Sequence, residues 1–262
     1  SGSARKRKVR LKKMRQGTEK KTEKKTEKKT EKKKGTRVAA AALNARRELT
    51  KEVIERLKAL YPDTKCTLNY RDAWQLLISV RLAAQCTDLR VDQVTPRLYE
   101  RFPTVRALAE APVEAIEEIV RPCGLGNSKA RDIQKCMRIL HEEYRDEVPH
   151  DFKALLALPG VGRKSANLIM GDIFGEPAIV TDTHCIRLVN RIGLVDDVKE
   201  PAKVEKLLWE LVPPEESNQF CHRLVDHGRA VCMARKPDCG RCVLNDLCRY
   251  AKEEQPFGLG EV

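Results

Sequence analysis

An all-α fold follows from three observations. Apolar residues recur at helical spacing along most of residues 39–212. Only one short apolar run, Ala178-Ile179-Val180, is suited to a strand, and no two strand-like runs are joined by a hairpin turn. Two short glycine-bearing turns, Cys123-Gly124-Leu125-Gly126-Asn127 and Leu158-Pro159-Gly160-Val161-Gly162, each run directly into a helical stretch. Such a chain buries its apolar stripes helix against helix. At 262 residues it is long enough for a sizeable core in one or two domains.

Residues 1–37 have almost no apolar content, and Thr18 to Lys33 is four tandem copies of Thr-Glu-Lys-Lys. The four-residue period favours a transient helix, but there is no apolar face to bury, so a disordered basic arm is expected. A solvated leader is the bland reading. Salt-dependent, nonspecific contact with DNA phosphates is the favoured one. Arg5-Lys6-Arg7-Lys8 would suit nuclear import in a eukaryote.

From Ala39 to Tyr61 the pattern is helical, with Leu49, Val53, Leu57 and Leu60 on one stripe, and Pro62 ends it. Asp72 caps the next helix, whose Trp74, Leu77, Ile78, Val80 and Leu82 are apolar nearly all round and predict burial. That helix runs into Gln85-Cys86-Thr87-Asp88, where Asp88 reads as a capping residue. Shorter helices follow over about 90–101, 104–109 and 113–120. After the first glycine turn, Ser128 is expected to cap a strong helix with Ile133, Cys136, Met137 and Leu140 on one face. A helix begins near Asp182 or Thr183 and another covers Lys203 to Val212, about ten in all.

The net charge of +13 is carried by the arm. Residues 1–40 hold 18 of the 51 Lys and Arg but only 4 of the 38 Asp and Glu, so the remainder has one net negative charge. A DNA-binding face on the body therefore needs uneven placement of charge. No apolar run reaches the roughly 18 residues of a membrane span, and no secretory leader is evident. The ten cysteines do not read as a disulfide framework. Six are scattered, mostly as small packing residues.

The stretch Leu158 to Ser165 carries the first chemistry. Asp151 caps a short helix that Pro159 and the glycines stop. Gly160 and Gly162 lack side chains and admit another backbone. The amides of residues 160–163 open the next helix with unpaired N–H groups, which attract a phosphate. Lys164 sits in that first turn, where a cation opposes the helix dipole, so its amine should lose its proton more easily and become a nucleophile. The bland alternative is a helical corner with a surface lysine. Eighteen residues on, Asp182 reads as a helix cap, which also pre-orients its carboxylate.

The second chemistry is Cys232-x6-Cys239-x2-Cys242-x5-Cys248. Four thiols so close together form a metal site. Zinc and an iron–sulfur cluster both accept four thiolates. A single Cys-x2-Cys is less typical of zinc than two such pairs.

Leu158 to Ala166, with Asp182 and the cysteine spacing, resembles the endonuclease III family of DNA glycosylases over roughly residues 45–252. The resemblance implies two helical domains, with a helix–hairpin–helix motif and a C-terminal iron–sulfur cluster loop. One domain is continuous (66–176); the other joins 39–65 to 177–255, and 256–262 is a tail. It implies a bifunctional N-glycosylase and abasic-site lyase of base-excision repair, acting on oxidised pyrimidines in duplex DNA. Lys164 stands at the nucleophile's position and Asp182 at that of the catalytic aspartate.

Gln85 matches the residue that fills the gap left by the turned-out nucleotide, and Leu125 the wedge against the opposite strand. Filling that hole offsets lost stacking. Gly160, Gly162 and Arg163 of the hairpin are expected at the DNA, as are His184 and Arg187, for which buried hydrogen-bonding roles compete. The four cysteines match the ligands of a 4Fe–4S cluster that staples loops carrying Arg235, Lys236 and Arg241 toward phosphates. Cys86 and Cys185 depart from the family's usual small or apolar residues. The partner implied is double-stranded DNA with damaged or abasic sites, bound by a monomer. The expected place is the nucleoid in a bacterium, or the nucleus or mitochondrion in a eukaryote. A noncatalytic DNA-binding protein with a structural metal would explain every motif except Lys164 with Asp182.

Overall fold

The computed structural model describes residues 39–254, so the basic arm (1–37) and the tail (256–262) lie outside the described residues. The chain divides into two compact units, residues 1–48 and 49–262. In the first, residues 39–48 are helical.

The second unit begins with α1 (49–60). It continues with α2 (Ala73–Ala83), α3 (Asp88–Arg101), α4 (Val105–Glu110), α5 (Val113–Val120), α6 (Gly126–Tyr144) and α7 (Phe152–Ala157). After the hairpin come α8 (Arg163–Phe174), α9 (Thr183–Ile192), α10 (Pro201–Trp209), α11 (Ser217–Ala230) and α12 (Arg249–Glu254). No strand occurs among the described residues, and no helix there is long and apolar enough to cross a membrane.

α6 is the spine against which α4 and α5 pack, while α2 and α7 lie on α8, and α9 on α11. Leu76, Leu82, Leu108, Ile116, Met137, Leu140, Ile169, Leu188 and Phe220 are fully buried at these contacts. Each such side chain contributes about 1.5–3 kcal/mol by leaving water. Truncating Leu140 would cost about 2–5 kcal/mol through the cavity it leaves.

Several expectations are corrected. In α1 the buried face is Thr50, Val53, Ile54 and Leu57, while Leu60 is 42% exposed at the helix end. α6 starts two residues before Ser128, and Leu125 occupies the cap position in a left-handed conformation. Ser128 instead accepts from the Arg81 guanidinium (3.3 Å). α10 is displaced toward the N-terminus because Pro201 starts it.

Ala178-Ile179-Val180 is buried but forms no strand. Side chains satisfy its backbone where a neighbouring strand would. Asn167 Nδ2 donates to Ile179 O (3.0 Å), and Ala178 N donates to Ser217 Oγ (3.0 Å). α11 went unanticipated because its buried face is largely polar, including Ser217, His222, Arg223 and His227.

Candidate active site

Gly160 adopts φ +77°, a left-handed conformation that glycine takes without strain. A Cβ there would lie 2.6 Å from Arg81 Cδ. Arg81 crosses the hairpin and pairs with Asp132 of α6 (2.8 Å from Nε). The bare glycine therefore lets α2, α6 and the hairpin meet. Gly162, the cap residue of α8, has open space around it. Arg163 turns to Glu205 of α10, donating through Nε and Nη2 (2.6 and 2.7 Å). Its guanidinium also lies over the Phe152 ring.

Lys164, the second residue of α8, is exposed on the wall of a cavity of about 340 Å³. Asp182, His184, Asp88, Arg229, Cys66 and Cys86 share that wall. Among the described residues the Lys164 ammonium has no hydrogen-bond partner, and its charge acts on Asp88. Asp182 caps α9, its Oδ1 accepting from Cys185 N (2.7 Å), so backbone geometry fixes the carboxylate at the cavity. α8 and α9 thus present lysine and aspartate from two helix starts.

The rest of the wall was not anticipated. Asp88 is not a cap: Thr87 caps α3, accepting from Arg90 N (3.3 Å). Asp88 Oδ2 accepts from Thr67 Oγ1 and Arg229 Nη2, both at 2.6 Å. Burial pushes its carboxyl up. The Thr67 hydroxyl, the Arg229 guanidinium and the Lys164 charge outweigh this and hold it below the usual range. Burial keeps the His184 imidazole below its ordinary value, against the pull of Asp182. Beneath the cavity His222 Nε2 meets Asp172 Oδ1 (2.7 Å), both nearly buried. Burial pushes the Cys66 thiol up to about 12, so it stays protonated. Sequence carried no signal for this layer beyond the unassigned His222 and Cys66.

Arg187 has an internal role. Nη2 donates to the carbonyls of Gly228 (3.0 Å) and Cys232 (3.1 Å) and contacts His184 Nδ1 (3.1 Å). Gly228 lets α11 press this close, since a Cβ would stand 2.6 Å from His184 Nδ1.

Gln85 and Leu125 share an unusual geometry. Both are exposed, non-glycine residues in left-handed backbone, φ 56° and 50°. Leu125 is 59% exposed. Each conformation costs about 1–2 kcal/mol, which the surrounding structure must offset.

The four C-terminal cysteines lie near one another, and burial first, then the charge of neighbouring cysteines, pushes the Cys239, Cys242 and Cys248 thiols up. Yet among the described residues no three His, Cys, Asp or Glu side chains meet at a single-ion position. Four thiolates in one loop fit the donor set of an iron–sulfur cluster. N–H groups point at the sulfurs: Arg191 Nη1 to Cys232 Sγ (3.3 Å) and Leu244 N to Cys242 Sγ (3.4 Å). Such donors stabilise thiolate ligands. Arg191 also donates to Met233 O and Ala234 O (2.8 Å each), fixing the loop. Arg235 and Lys236 are exposed on it, while Arg241 is paired with Asp238 (2.6 Å).

Residues 78–214 match the model of the HhH-GPD superfamily of base excision DNA repair proteins. Residues 232–248, which hold all four cysteines, match the iron–sulfur binding domain of endonuclease III. Endonuclease III of Synechocystis sp. is 43% identical over 209 residues, covering 79% of this chain and 95% of that protein. Endonuclease III of Escherichia coli K12 is 43% identical over 202 residues, covering 77% and 95%. A non-covalent endonuclease III–DNA complex superposes with a TM-score of 0.76 at 39% identity, covering 80% of this chain and 99% of that one. A trapped endonuclease III–DNA covalent intermediate gives 0.75 at 39% identity, covering 79% and 98%. With its helix–hairpin–helix, its cavity lysine and its four-cysteine segment for a 4Fe–4S cluster, this chain belongs to the endonuclease III family.

Proposed function

We propose that this base-excision DNA glycosylase and abasic-site lyase uses Lys164 as its nucleophile and Asp182 to steady the reacting sugar. The reading rests on one observation above others: an unpartnered ammonium and a capped carboxylate share one cavity wall. After the Lys164 ammonium gives up a proton, its amine forms a bond to the anomeric carbon as the bond to the base breaks, and the base departs with the bonding electrons and takes up a proton. The Asp182 carboxylate stabilises positive charge at that carbon and relays protons. Ring opening yields a protonated Schiff base. Loss of a C2′ proton then expels the 3′ phosphate by β-elimination.

The substrate is duplex DNA with an oxidised pyrimidine or an abasic site, bound by a monomer. Gln85 fills the vacated stack and Leu125 wedges the opposite strand. The Gly160 and Gly162 amides and the exposed Arg235 and Lys236 meet phosphates. His184 lines the pocket. Arg163 and Arg187 act through Glu205 and the Gly228 and Cys232 carbonyls they hold. Cys232, Cys239, Cys242 and Cys248 ligate the 4Fe–4S cluster, which staples the loop. We place the domain division at 66–176 against 39–65 with 177–255.

The test is strand cleavage on a duplex with a single oxidised pyrimidine. Lys164→Ala is expected to lose about 10⁴-fold or more in rate while retaining DNA affinity. A variant that still cleaves would overturn the assignment. Wild-type protein that binds tightly but never cleaves would favour a noncatalytic DNA-binding role.

A further inference from the structure

Among the described residues Lys129 is the largest fully buried side chain, with 0% exposure. Its Nζ donates to Leu82 O (2.8 Å) and Cys123 O (2.7 Å). Those two carbonyls belong to different elements, separated by forty-one residues of chain.

Leu82 lies in the last turn of α2, three residues before Gln85. Its carbonyl is among those a helix end leaves unpaired, and a cation there is favoured by the helix dipole. Cys123 closes the short 3₁₀ turn that precedes Leu125 by two residues. One ammonium therefore joins the roots of both exposed tips. The Cys86 and Cys123 thiols lie beside it. Arg81 further ties α2 to α6 through Asp132 and Ser128. Both tips hold left-handed, non-glycine backbone, which persists only where the surroundings fix it.

We propose that Lys129 is a positioning residue that sets the Gln85 and Leu125 tips at a fixed separation, so that both enter the duplex in one concerted step. The inference rests on the reading of Gln85 and Leu125 as the residues that enter the DNA. It makes base extrusion depend on a buried cation that takes no part in the sugar chemistry. Chemistry on a sugar already free of its stack does not require it.

The experiment uses the full chain and a duplex carrying 2-aminopurine beside a tetrahydrofuran abasic analogue. Stopped-flow fluorescence reads unstacking. Lys129→Met, assayed well below its melting temperature, is expected to slow unstacking about tenfold, the order for one lost charged hydrogen bond. Cleavage of an abasic site opposite a one-nucleotide gap stays within about twofold of wild type. Combined with Gln85→Ala and Leu125→Ala, Lys129→Met adds little further slowing, because the tips it aligns are gone.

Should Gln85→Ala and Leu125→Ala leave unstacking unchanged, the underlying reading of the tips fails. If they slow it and Lys129→Met does not, or if its effect is fully additive with theirs, the positioning role is overturned. Equal slowing on the gapped substrate overturns it too, since that marks general damage. If Lys129→Met does not fold, Lys129→Gln, which keeps N–H donors but loses the charge, replaces it. About threefold slowing is then expected, and a wild-type rate would overturn the proposal.

Discussion

The two hairpins of this protein are near copies in plan and opposites in use. Each follows a short helical turn, holds a glycine in left-handed backbone (Gly124 φ 73°, Gly160 φ 77°) and opens a helix with a lysine in its first turn. In the first, Lys129 is buried and bonded to two carbonyls, and an apolar side chain, Leu125, is pushed outward. In the second, Lys164 stands on a cavity wall without a hydrogen-bond partner among the described residues, and the hairpin presents bare backbone. A lysine bonded to two buried carbonyls holds structure, and one left free can attack. What surrounds each lysine, and not the hairpin, separates the two roles proposed for them.

Stability should divide the hairpins first. Lys129→Ala leaves two buried carbonyls without donors and is expected to cost about 2 kcal/mol or more. Lys164→Ala should stay within about 0.5 kcal/mol of wild type. Chemical denaturation checks both, and equal losses would erase the distinction.

The glycines come next. Gly160→Ala meets Arg81 at 2.6 Å on top of the backbone strain and is expected to cost about 2–3 kcal/mol. Gly124→Ala has nothing within 4 Å and pays only the strain of its positive-φ, extended backbone (φ 73°, ψ 158°), about 1–2 kcal/mol. Melting curves that ranked Gly124→Ala as the worse would contradict the packing described for the second hairpin.

The smallest effect concerns the cavity wall beside Lys164. The folded Asp88 carboxyl lies below its unfolded value, so its stabilising contribution is complete above about pH 4 and is lost as pH falls through the folded value. Asp88→Asn should flatten this part of the acid limb of stability against pH. Identical acid limbs in variant and wild type would show that the Arg229 and Thr67 contacts contribute nothing.

The parts of the site legible in sequence are those made locally. A hairpin, a cap at Asp182 and four cysteines within seventeen residues each carry their reason in adjacent positions. The illegible parts join distant segments. Asp88 meets Arg229 across 141 residues, and Arg163 meets Glu205 across 42. Neither pairing has a periodicity, and the first corrects the reading of Asp88 as a cap. Ala178 to Val180 misled for a related reason: side chains from α8 and α11 satisfy it, so its apolar run needs no sheet. α11 hid because its buried face is built from histidine and arginine.

The central claim is that only the unpartnered lysine does covalent chemistry. Borohydride trapping on a duplex with one abasic site, followed by peptide mapping of the adduct, tests it most directly. The adduct is expected wholly on the peptide containing Lys164, and absent in Lys164→Ala. An adduct mapped to Lys129, or one that persists undiminished in Lys164→Ala, would contradict it.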